Sequence, residues 1–140
     1  VAVDASAAAL VVAKRNGVKL GLEVDWRHGR WFEPVAGERF DLVVSNPPYV
    51  AEGDRHLGEG DVRHEPRSAL VSGPDGLDAI REIVAAAPAF LAPGGALLLE
   101  HGLGQDEATR SMLERRGFAQ VQTRVDLAGI ARATGGAIQS

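Results

Sequence analysis

Short apolar segments alternate with helical patterns along the whole of this chain. The strand-like segments are VAVD (1–4), KLGLEV (19–24), FDLVVS (40–45), GGALLLEHG (94–102) and FAQVQTRVD (118–126). Helical patterns cover residues 6–17, 75–91 and 105–117. Strands that alternate with helices are typical of a parallel sheet covered by helices. The sequence therefore predicts an α/β, Rossmann-like domain whose twisted, mostly parallel sheet has helices on both faces.

Capping and breaking residues predict where the helices begin and end. Ser6 is placed to cap the first helix, and Gly17 is placed to end it. The pattern of the second helix holds as far as Pro88, which lacks the backbone donor that a helix interior needs. Gly117 is placed to close the third helix.

Three other segments carry structural predictions. FDLVVS is apolar almost throughout, which predicts a strand covered on both faces. Residues 50–75 are rich in glycine and charged side chains, show no period, and predict a long loop. The tail ATGGAIQS (133–140) predicts a short edge strand or a frayed end.

Composition limits the classes of protein to which the chain can belong. Its 140 residues are 45% hydrophobic and 24% charged, which predicts one globular domain or part of one. No apolar run reaches the roughly 18–20 residues of a membrane span, and the first residues lack a basic flank. We therefore expect a soluble, cytoplasmic protein. The net charge of −4 argues against a broad nucleic-acid-binding surface.

The metal-ligating residue types give no pattern typical of a metal site. The chain has no cysteine, which excludes thiolate ligands and a disulfide framework. Its histidines have no ligand spacing among them, and we expect them to be solvated or hydrogen-bonded: His28, His56, His64 and His101. The sequence therefore predicts no metal.

Asp4, which closes the strand VAVD, is a candidate ligand for a ribose. In nucleotide-binding α/β folds an acidic residue at a strand end holds the ribose hydroxyls, about 20 residues after a glycine-rich turn. That turn would precede Val1, so we expect the chain to be a fragment that lacks the first strand. The alternative is that Asp4 only begins a turn and caps the helix near Ser6.

Asn46-Pro-Pro-Tyr49 follows the apolar strand FDLVVS directly. Two prolines fix two φ angles and remove two N–H donors, which leaves a stiff segment rich in acceptors. The Asn46 side-chain oxygen and the Pro47 carbonyl can accept both hydrogens of a planar NH₂ group, while the Tyr49 ring covers its face. Such a nitrogen is a poor nucleophile, so catalysis by positioning is the expected chemistry. The alternative is a rigid turn with Tyr49 in the core.

Together these motifs resemble a known family. The segments VAVDAS, WFEP, FDLVVSNPPYV, GDVRHEPRSAL, DGLDAI, LAPGGALLLEHG and DLAGIARATGG are similar to those of class I S-adenosylmethionine-dependent methyltransferases of the HemK/PrmC type. That family methylates the glutamine side-chain amide (N5) of bacterial peptide chain release factors. The resemblance implies a class I methyltransferase fold, and residues 1–140 as a partial C-terminal catalytic domain.

The resemblance also implies a cofactor and a partner. The cofactor is S-adenosylmethionine, and the partner is a release factor, the protein substrate in translation termination. No direct contact with nucleic acid or membrane is implied, and the full-length form is expected to be a monomer.

For the cofactor, the resemblance implies three contacts. Asp4 matches the carboxylate that binds the ribose hydroxyls, and Trp31 in RWFEP matches the residue that lies against the adenine ring. Trp26 in DWR is the rival for the adenine contact. Asn46 is also expected to contact the cofactor.

For the substrate, Asn46 and Pro47 match the residues that hold the glutamine amide, and Tyr49 matches the ring that packs over it. These three are the expected catalytic residues. The implied substrate-binding set is Asn46, Pro47, Pro48, Tyr49 and Glu65, with Pro66 in the same loop. His64 departs from the family, which has an aromatic residue there.

Three other interpretations remain open from the sequence. A nucleic-acid amino (adenine N6-type) methyltransferase would present the same NH₂ group to Asn-Pro-Pro-Tyr, because a flipped adenine offers a planar amine. A nicotinamide-dependent oxidoreductase would use Asp4 for a ribose, but it leaves that motif unexplained. We expect the family's glycine-rich loop and helical amino-terminal domain to lie outside these residues, so the third interpretation is an inactive truncated fragment.

Overall fold

The computed structural model describes residues 1–54 and 66–139. It divides into two compact units, Val1–Glu38 and Arg39–Ser140. The assignment of 1–140 to one partial catalytic domain stays a prediction.

The first unit is a small β-α-β arrangement. Its elements are β1 (Ala2–Asp4), α1 (Ala7–Lys19), β2 (Trp26–His28) and a short 3₁₀ helix (Glu33–Val35). The two strands pair in parallel, with Ala2 opposite Trp26 and Asp4 opposite His28. The predicted strand at 1–4 and its parallel pairing are therefore confirmed.

The helix α1 begins as predicted but ends later. The Ser6 side chain accepts a hydrogen bond from the Ala9 N–H at 3.2 Å, which confirms the cap. Gly17 as the end of the helix is wrong, because it is buried within α1, where an added Cβ would lie 3.1 Å from Cζ2 of Trp26. The close approach of the Trp26 ring therefore accounts for this glycine.

The predicted strand over residues 19–24 is wrong. Lys19 completes the last turn of α1, and Gly21 takes a left-handed φ of +67°. The Leu22 N–H donates to the Gly17 carbonyl at 2.9 Å, which keeps this segment folded against the end of the helix. The alternation of apolar residues here marks a helix end, and the strand begins only at Trp26.

The second unit holds a four-stranded sheet. Its elements are β3 (Phe40–Ser45), α2 (Arg67–Leu70), α3 (Asp78–Ala86), β4 (Leu91–Glu100), α4 (Asp106–Arg115), β5 (Ala119–Val125) and β6 (Ala131–Ala137). The strand order is β3-β4-β6-β5. Strands β3 and β4 are parallel, and β6 is antiparallel to both β4 and β5. Strands β3, β4 and β5 run in one direction and β6 runs against them, so this sheet has one parallel and two antiparallel strand pairs and is mixed, where the sequence predicted a mostly parallel sheet.

The predicted elements of this unit are confirmed with shifted ends. Helix α3 stops at Ala86, and a 3₁₀ turn, Ala87–Phe90, contains Pro88. Gly117 follows α4 with a φ of +95°. The described parts of the predicted loop 50–75 contain α2 and a bridge between Val50 and Val71.

Two predictions about the sheet are wrong. Strand β3 is not covered on both faces, because Leu42 and Val44 are 57% and 64% exposed. The tail is not an edge, since β6 lies between β4 and β5. An added Cβ at Gly135 would lie 2.5 Å from the Leu97 carbonyl oxygen, so this glycine serves a close approach inside the sheet.

The core of the second unit is built from the buried sides of α3, α4 and β4, and α4 packs on β5 and β6. Helix α3 buries residues spaced by three and four positions, as an amphipathic helix does. The largest side chains buried here to 2% exposure or less are Ile80, Ile83, Leu91, Leu97, Leu99 and Leu113. Among residues 1–54 and 66–139, no helix is long and apolar enough to cross a membrane.

Candidate functional site

The first group of candidate residues lies at the carboxyl end of the parallel pair β1-β2. Asp4 is the last residue of β1, and Trp31 follows the end of β2 by three positions. Because neighbouring parallel strands end at the same edge, this edge carries both the carboxylate and the ring predicted for a nucleoside. Trp26 starts β2 and packs against Gly17, at the other end of the strand pair.

Asp4 takes the turn role that the sequence left open, and its ribose role stays a prediction. Its Oδ1 accepts the Ser6 N–H at 2.7 Å, so the residue does begin the turn before α1. A carboxylate has about four lone-pair positions, and this one uses the bond to Ser6 for one of them. The side chain is exposed, and its remaining lone pairs suit the paired hydroxyls of a ribose. The carboxylate therefore fits a nucleoside cofactor chemically.

Trp31 sits in an unusual backbone conformation. Its φ is +48°, in the left-handed region that side chains larger than asparagine rarely adopt. The ring is half-buried, and the Arg30 guanidinium carbon lies 5.7 Å from its centroid. Strain of this kind is found at ligand sites, where the surrounding structure maintains it. The geometry therefore fits a ring presented to a ligand.

The second group lies at the carboxyl end of the parallel pair β3-β4. Ser45 pairs with Leu99 in the register of the two strands. Asn46 therefore leaves β3 at the level where Glu100 ends β4. This confirms that Asn-Pro-Pro-Tyr follows a strand of an open α/β sheet at the edge where such sheets bind ligands.

The four residues of the motif differ in exposure. Asn46 is exposed, Pro47 is buried, and Pro48 and Tyr49 are half-buried. The exposed amide can meet a ligand, while the buried proline fixes the backbone beside it. No part of this arrangement places Tyr49 fully in the core, as the alternative of a simple rigid turn requires.

The Tyr49 side chain is positioned from β4 and the turn after it. Its hydroxyl lies 3.5 Å from Oε1 of Glu100, at the long limit of a hydrogen bond. The ring lies so close to Gly102 that an added Cβ there would be 3.2 Å from Cδ2 of Tyr49. Glu100 and Gly102 thus define one side of the ring.

Gln105 joins this edge through its side chain, which the sequence did not reveal. Its amide bonds to backbone groups of Tyr49, Asp75 and Gly102. In the sequence this glutamine stands directly before a helix and is typical of a helix start. Only the folded chain shows that its side chain does not cap α4.

His101 is fully buried and fully hydrogen-bonded. Its Nδ1 donates to the Gly102 carbonyl at 3.1 Å, because a carbonyl only accepts. Its Nε2 then accepts from the Thr134 hydroxyl at 2.9 Å. Thr134 in turn accepts from Thr123 at 2.9 Å, and Thr123 accepts from Arg110 at 3.0 Å. The hydrogen bonds of this network therefore all run in one direction, from Arg110 through Thr123, Thr134 and His101 to the Gly102 carbonyl.

The other histidines and the substrate loop complete the predicted set. His28 bonds the Ala5 carbonyl at 3.0 Å, so hydrogen-bonded roles are confirmed for His28 and His101. His56, His64 and Glu65 lie outside the described residues. Pro66 is exposed at the start of α2. Within the described ranges, no cluster of side chains could hold a metal ion.

Asp75 stabilises the turn that leads into α3. Its carboxylate pairs with the Arg81 guanidinium and accepts the Leu77 N–H at 3.1 Å. The ion pair with Arg81, followed by the Leu77 N–H, lowers the pKa of Asp75 from 3.8 to about 2. The backbone carbonyl of the same residue faces Gln105, so this turn borders the Tyr49 loop.

Comparison with known proteins identifies the class of fold. Residues 1–62 match the family model described as "Methyltransferase small domain". The structure resembles a Thermus thermophilus 16S rRNA N2 G1207 methyltransferase solved with AdoMet and guanosine: TM-score 0.68, 20% identity, 98% of this chain and 30% of that one. The chain therefore has the class I methyltransferase fold.

Two further similarities concern a particular activity. A release-factor-specific protein-(glutamine-N5) methyltransferase from Alicyclobacillus acidocaldarius matches with TM-score 0.54 and 23% identity, over 99% of this chain and 78% of that one. The release factor glutamine methyltransferase of Xylella fastidiosa is 54% identical over 136 residues, which are 96% of this chain and 50% of the relative. The chain thus spans about half the length of the curated relatives that it matches.

Proposed function

We propose that this chain carries cofactor- and substrate-binding residues of a release factor glutamine methyltransferase. The reaction is S-adenosylmethionine-dependent methylation of a glutamine side-chain amide nitrogen in a peptide chain release factor. The observation that carries the proposal is the acceptor-rich segment Asn46–Tyr49 at the carboxyl end of β3, in a chain 54% identical to a relative of that name. Since release factors act in translation, the expected location is the cytoplasm.

The first unit supplies the nucleoside contacts in this proposal. The Asp4 carboxylate accepts hydrogen bonds from both ribose hydroxyls, and the Trp31 ring stacks on the adenine. When bound, S-adenosylmethionine supplies an electrophilic methyl group on a sulfonium. The exposure of Asp4 and the strained presentation of Trp31 support these roles.

The second unit supplies the amide contacts. The Asn46 side-chain oxygen and the Pro47 carbonyl accept the two N–H groups of the glutamine amide, and the Tyr49 ring covers one face of it. Pro48 keeps the segment rigid because its φ is fixed. In the reaction the amide nitrogen would gain a bond to the methyl carbon as the bond from that carbon to the sulfonium sulfur breaks, leaving a neutral thioether, and the nitrogen would release one proton to solvent. Since no strong base is needed, the role of these residues is to orient the nitrogen.

Methylation of an amine on a nucleic-acid base is the second candidate function. It is favoured by the likeness of the fold to the rRNA methyltransferase from Thermus thermophilus. The net charge of −4 disfavours it, because phosphate contacts require clustered cations. A single assay with both substrates separates the two candidates.

The test is methyl transfer from labelled S-adenosylmethionine to a glutamine-containing release factor, with an RNA as the rival substrate. Two proteins are compared: the chain itself, and a chimera in which it replaces the matching half of the Xylella relative. We expect transfer to the release factor by the chimera. Transfer to RNA alone, or no transfer by the chimera, would overturn the proposal.

Asn46→Ala is the decisive variant in that assay, and Asn16→Ala is its matched control. We expect Asn46→Ala to lower kcat by about a hundredfold, because loss of one aligned acceptor disturbs the position of the reacting atom. Asn16 is exposed near the end of α1, and its substitution should leave kcat unchanged. Equal activity of both variants would remove Asn46 from the site.

A further inference from the structure

The segment Asn46–Tyr49 has few backbone donors with which neighbouring elements can hold it in place. Because residues 47 and 48 are prolines, they offer no backbone N–H to a partner. Strand pairing holds the chain only as far as Ser45. On the far side, the Val50 N–H donates to the Leu70 carbonyl at 2.8 Å. At the two prolines, a backbone anchor can therefore bind only a carbonyl.

Gln105 provides that anchor at the Tyr49 carbonyl. Its Nε2 donates to the Tyr49 carbonyl oxygen at 2.9 Å and to the Asp75 carbonyl oxygen at 3.3 Å. Its Oε1 accepts the Gly102 N–H at 2.8 Å. The orientation of the amide is fixed by its partners, since both carbonyls accept and the N–H donates. A primary amide is the side chain that meets all three demands.

Gly76 keeps the neighbouring turn close enough for this arrangement. An added Cβ at Gly76 would lie 2.3 Å from the Tyr49 carbonyl oxygen and 2.8 Å from Nε2 of Gln105. Its φ of +76° also suits glycine. The turn before α3, the turn after β4 and the end of the Asn-Pro-Pro-Tyr segment therefore converge on one amide.

We propose that Gln105 is a positioning residue, which fixes the Tyr49 backbone and through it the substrate-facing geometry of Asn46 and Pro47. Its side-chain amide contacts these elements through the backbone groups of Tyr49, Asp75 and Gly102. Its effect on catalysis rests on the proposed function, whereas its effect on Tyr49 does not.

The primary test uses Tyr49 itself, which is the only tyrosine of the chain. Ring-¹³C tyrosine gives one set of NMR signals, and all of them report this residue. In Gln105→Glu, the acceptor for Gly102 is retained but a carboxylate oxygen faces two carbonyl oxygens. We expect the Tyr49 signals to shift and to split or broaden. Unchanged signals in Gln105→Glu would overturn the proposal.

Gln122→Glu is the matched control, since Gln122 is exposed on β5 and its side-chain oxygen accepts only from Arg124 in the described structure, at 2.7 Å. It makes the same chemical change in the same unit, and we expect the Tyr49 signals to remain unchanged. Equal changes in both variants would mean a general effect of added charge and would also overturn the proposal.

A measurement on the unsubstituted protein covers the case in which Gln105→Glu does not fold. The side-chain NH₂ protons of Gln105 should exchange with solvent about tenfold more slowly than those of Gln122. The reason is that the Gln105 NH₂ group donates to two backbone carbonyls, those of Tyr49 and Asp75. Equal exchange rates for the Gln105 and Gln122 side chains would overturn the proposal that Gln105 holds the Tyr49 carbonyl.

Methyl transfer by the chimera then separates the two proposals. We expect Gln105→Glu to lower kcat by about ten- to hundredfold, with the Kd for S-adenosylhomocysteine unchanged. An unchanged kcat together with altered Tyr49 signals would remove the catalytic part of the inference. If the unsubstituted chimera transfers no methyl group, the proposed function fails, while the Tyr49 signals still decide the anchor.

Discussion

The carboxyl ends of the two parallel strand pairs are built differently. At the end of β1-β2, Asp4 is exposed, and its carboxylate has one bond, to its own turn. At the end of β3-β4, backbone carbonyls and a buried histidine are held by side chains from several elements. The first edge offers groups that a ligand can cover, whereas at the second edge the Tyr49 carbonyl, next to the proposed substrate contacts, is already held by Gln105.

The difference follows from what each edge is proposed to bind. A nucleoside has many polar groups and a large ring, so it can order an exposed carboxylate and a neighbouring ring by binding them. An amide nitrogen must be aligned to within a fraction of an ångström, and misalignment lowers the rate steeply. The residues that provide this alignment should therefore matter for stability as well as for catalysis.

The largest effect on stability is expected at Thr134, in the middle of the buried chain of hydrogen bonds. Thr134→Val keeps the shape of the side chain but leaves Nε2 of His101 without its donor. An unsatisfied buried group costs about 1–3 kcal/mol, so the free energy of unfolding should fall by that amount in urea denaturation. Thr134 is 0% exposed, and no water can replace the bond without rearrangement.

Thr123→Val is the matched control for this prediction. Thr123 is half-buried and lies one bond further from His101, so its loss should cost less. The double variant should cost less than the sum of the single variants, because both break one chain. If Thr134→Val unfolds at the same urea concentration as the unsubstituted protein, the hydrogen-bond network through Thr134 does not stabilise the carboxyl end of β3-β4.

The sequence predicted the groups at the strand ends of both edges better than the groups that hold them. Asp4 ends one apolar strand and the segment Asn46–Tyr49 follows another, and a strand end is a local signal. Gln105 was missed because its partners lie 56 and 30 positions away in the sequence. Thr134 and Gly135 were assigned to a frayed or edge segment, since glycines weaken a strand pattern and only the close approach of β4 explains them.

The next effect concerns the two tryptophans of the first unit. Trp31 lies near the carboxyl end of β2, whereas Trp26 packs on Gly17. If Trp31 stacks on adenine, S-adenosylhomocysteine should change tryptophan fluorescence in Trp26→Phe but not in Trp31→Phe. Loss of the ring in Trp31→Ala should weaken binding about three- to tenfold, the usual value of an aromatic stack. A fluorescence change that disappears only in Trp26→Phe would assign the adenine contact to Trp26.

The smallest effect is expected from the ion pair between Asp75 and Arg81, because both side chains are about half exposed. The pKa of Asp75 is lowered from 3.8 to about 2 in the folded protein, first by Arg81 and then by the Leu77 N–H. Ionised Asp75 therefore favours folding above pH 3.8, and this stabilisation is lost as the pH falls through about 2.

Asp75→Asn isolates that charge, because asparagine keeps an acceptor for the Leu77 N–H. The difference in free energy of unfolding between the unsubstituted protein and Asp75→Asn should be constant at neutral pH and shrink as the pH falls from 3.8 to about 2. Arg81→Gln should remove most of the same pH dependence, since it removes the first cause of the shift. If this difference in free energy of unfolding stays constant down to about pH 2, the Asp75–Arg81 ion pair does not stabilise the turn before α3. The Asp75 carbonyl, which accepts from Gln105, is then held in place by the buried hydrogen bonds of the second edge alone.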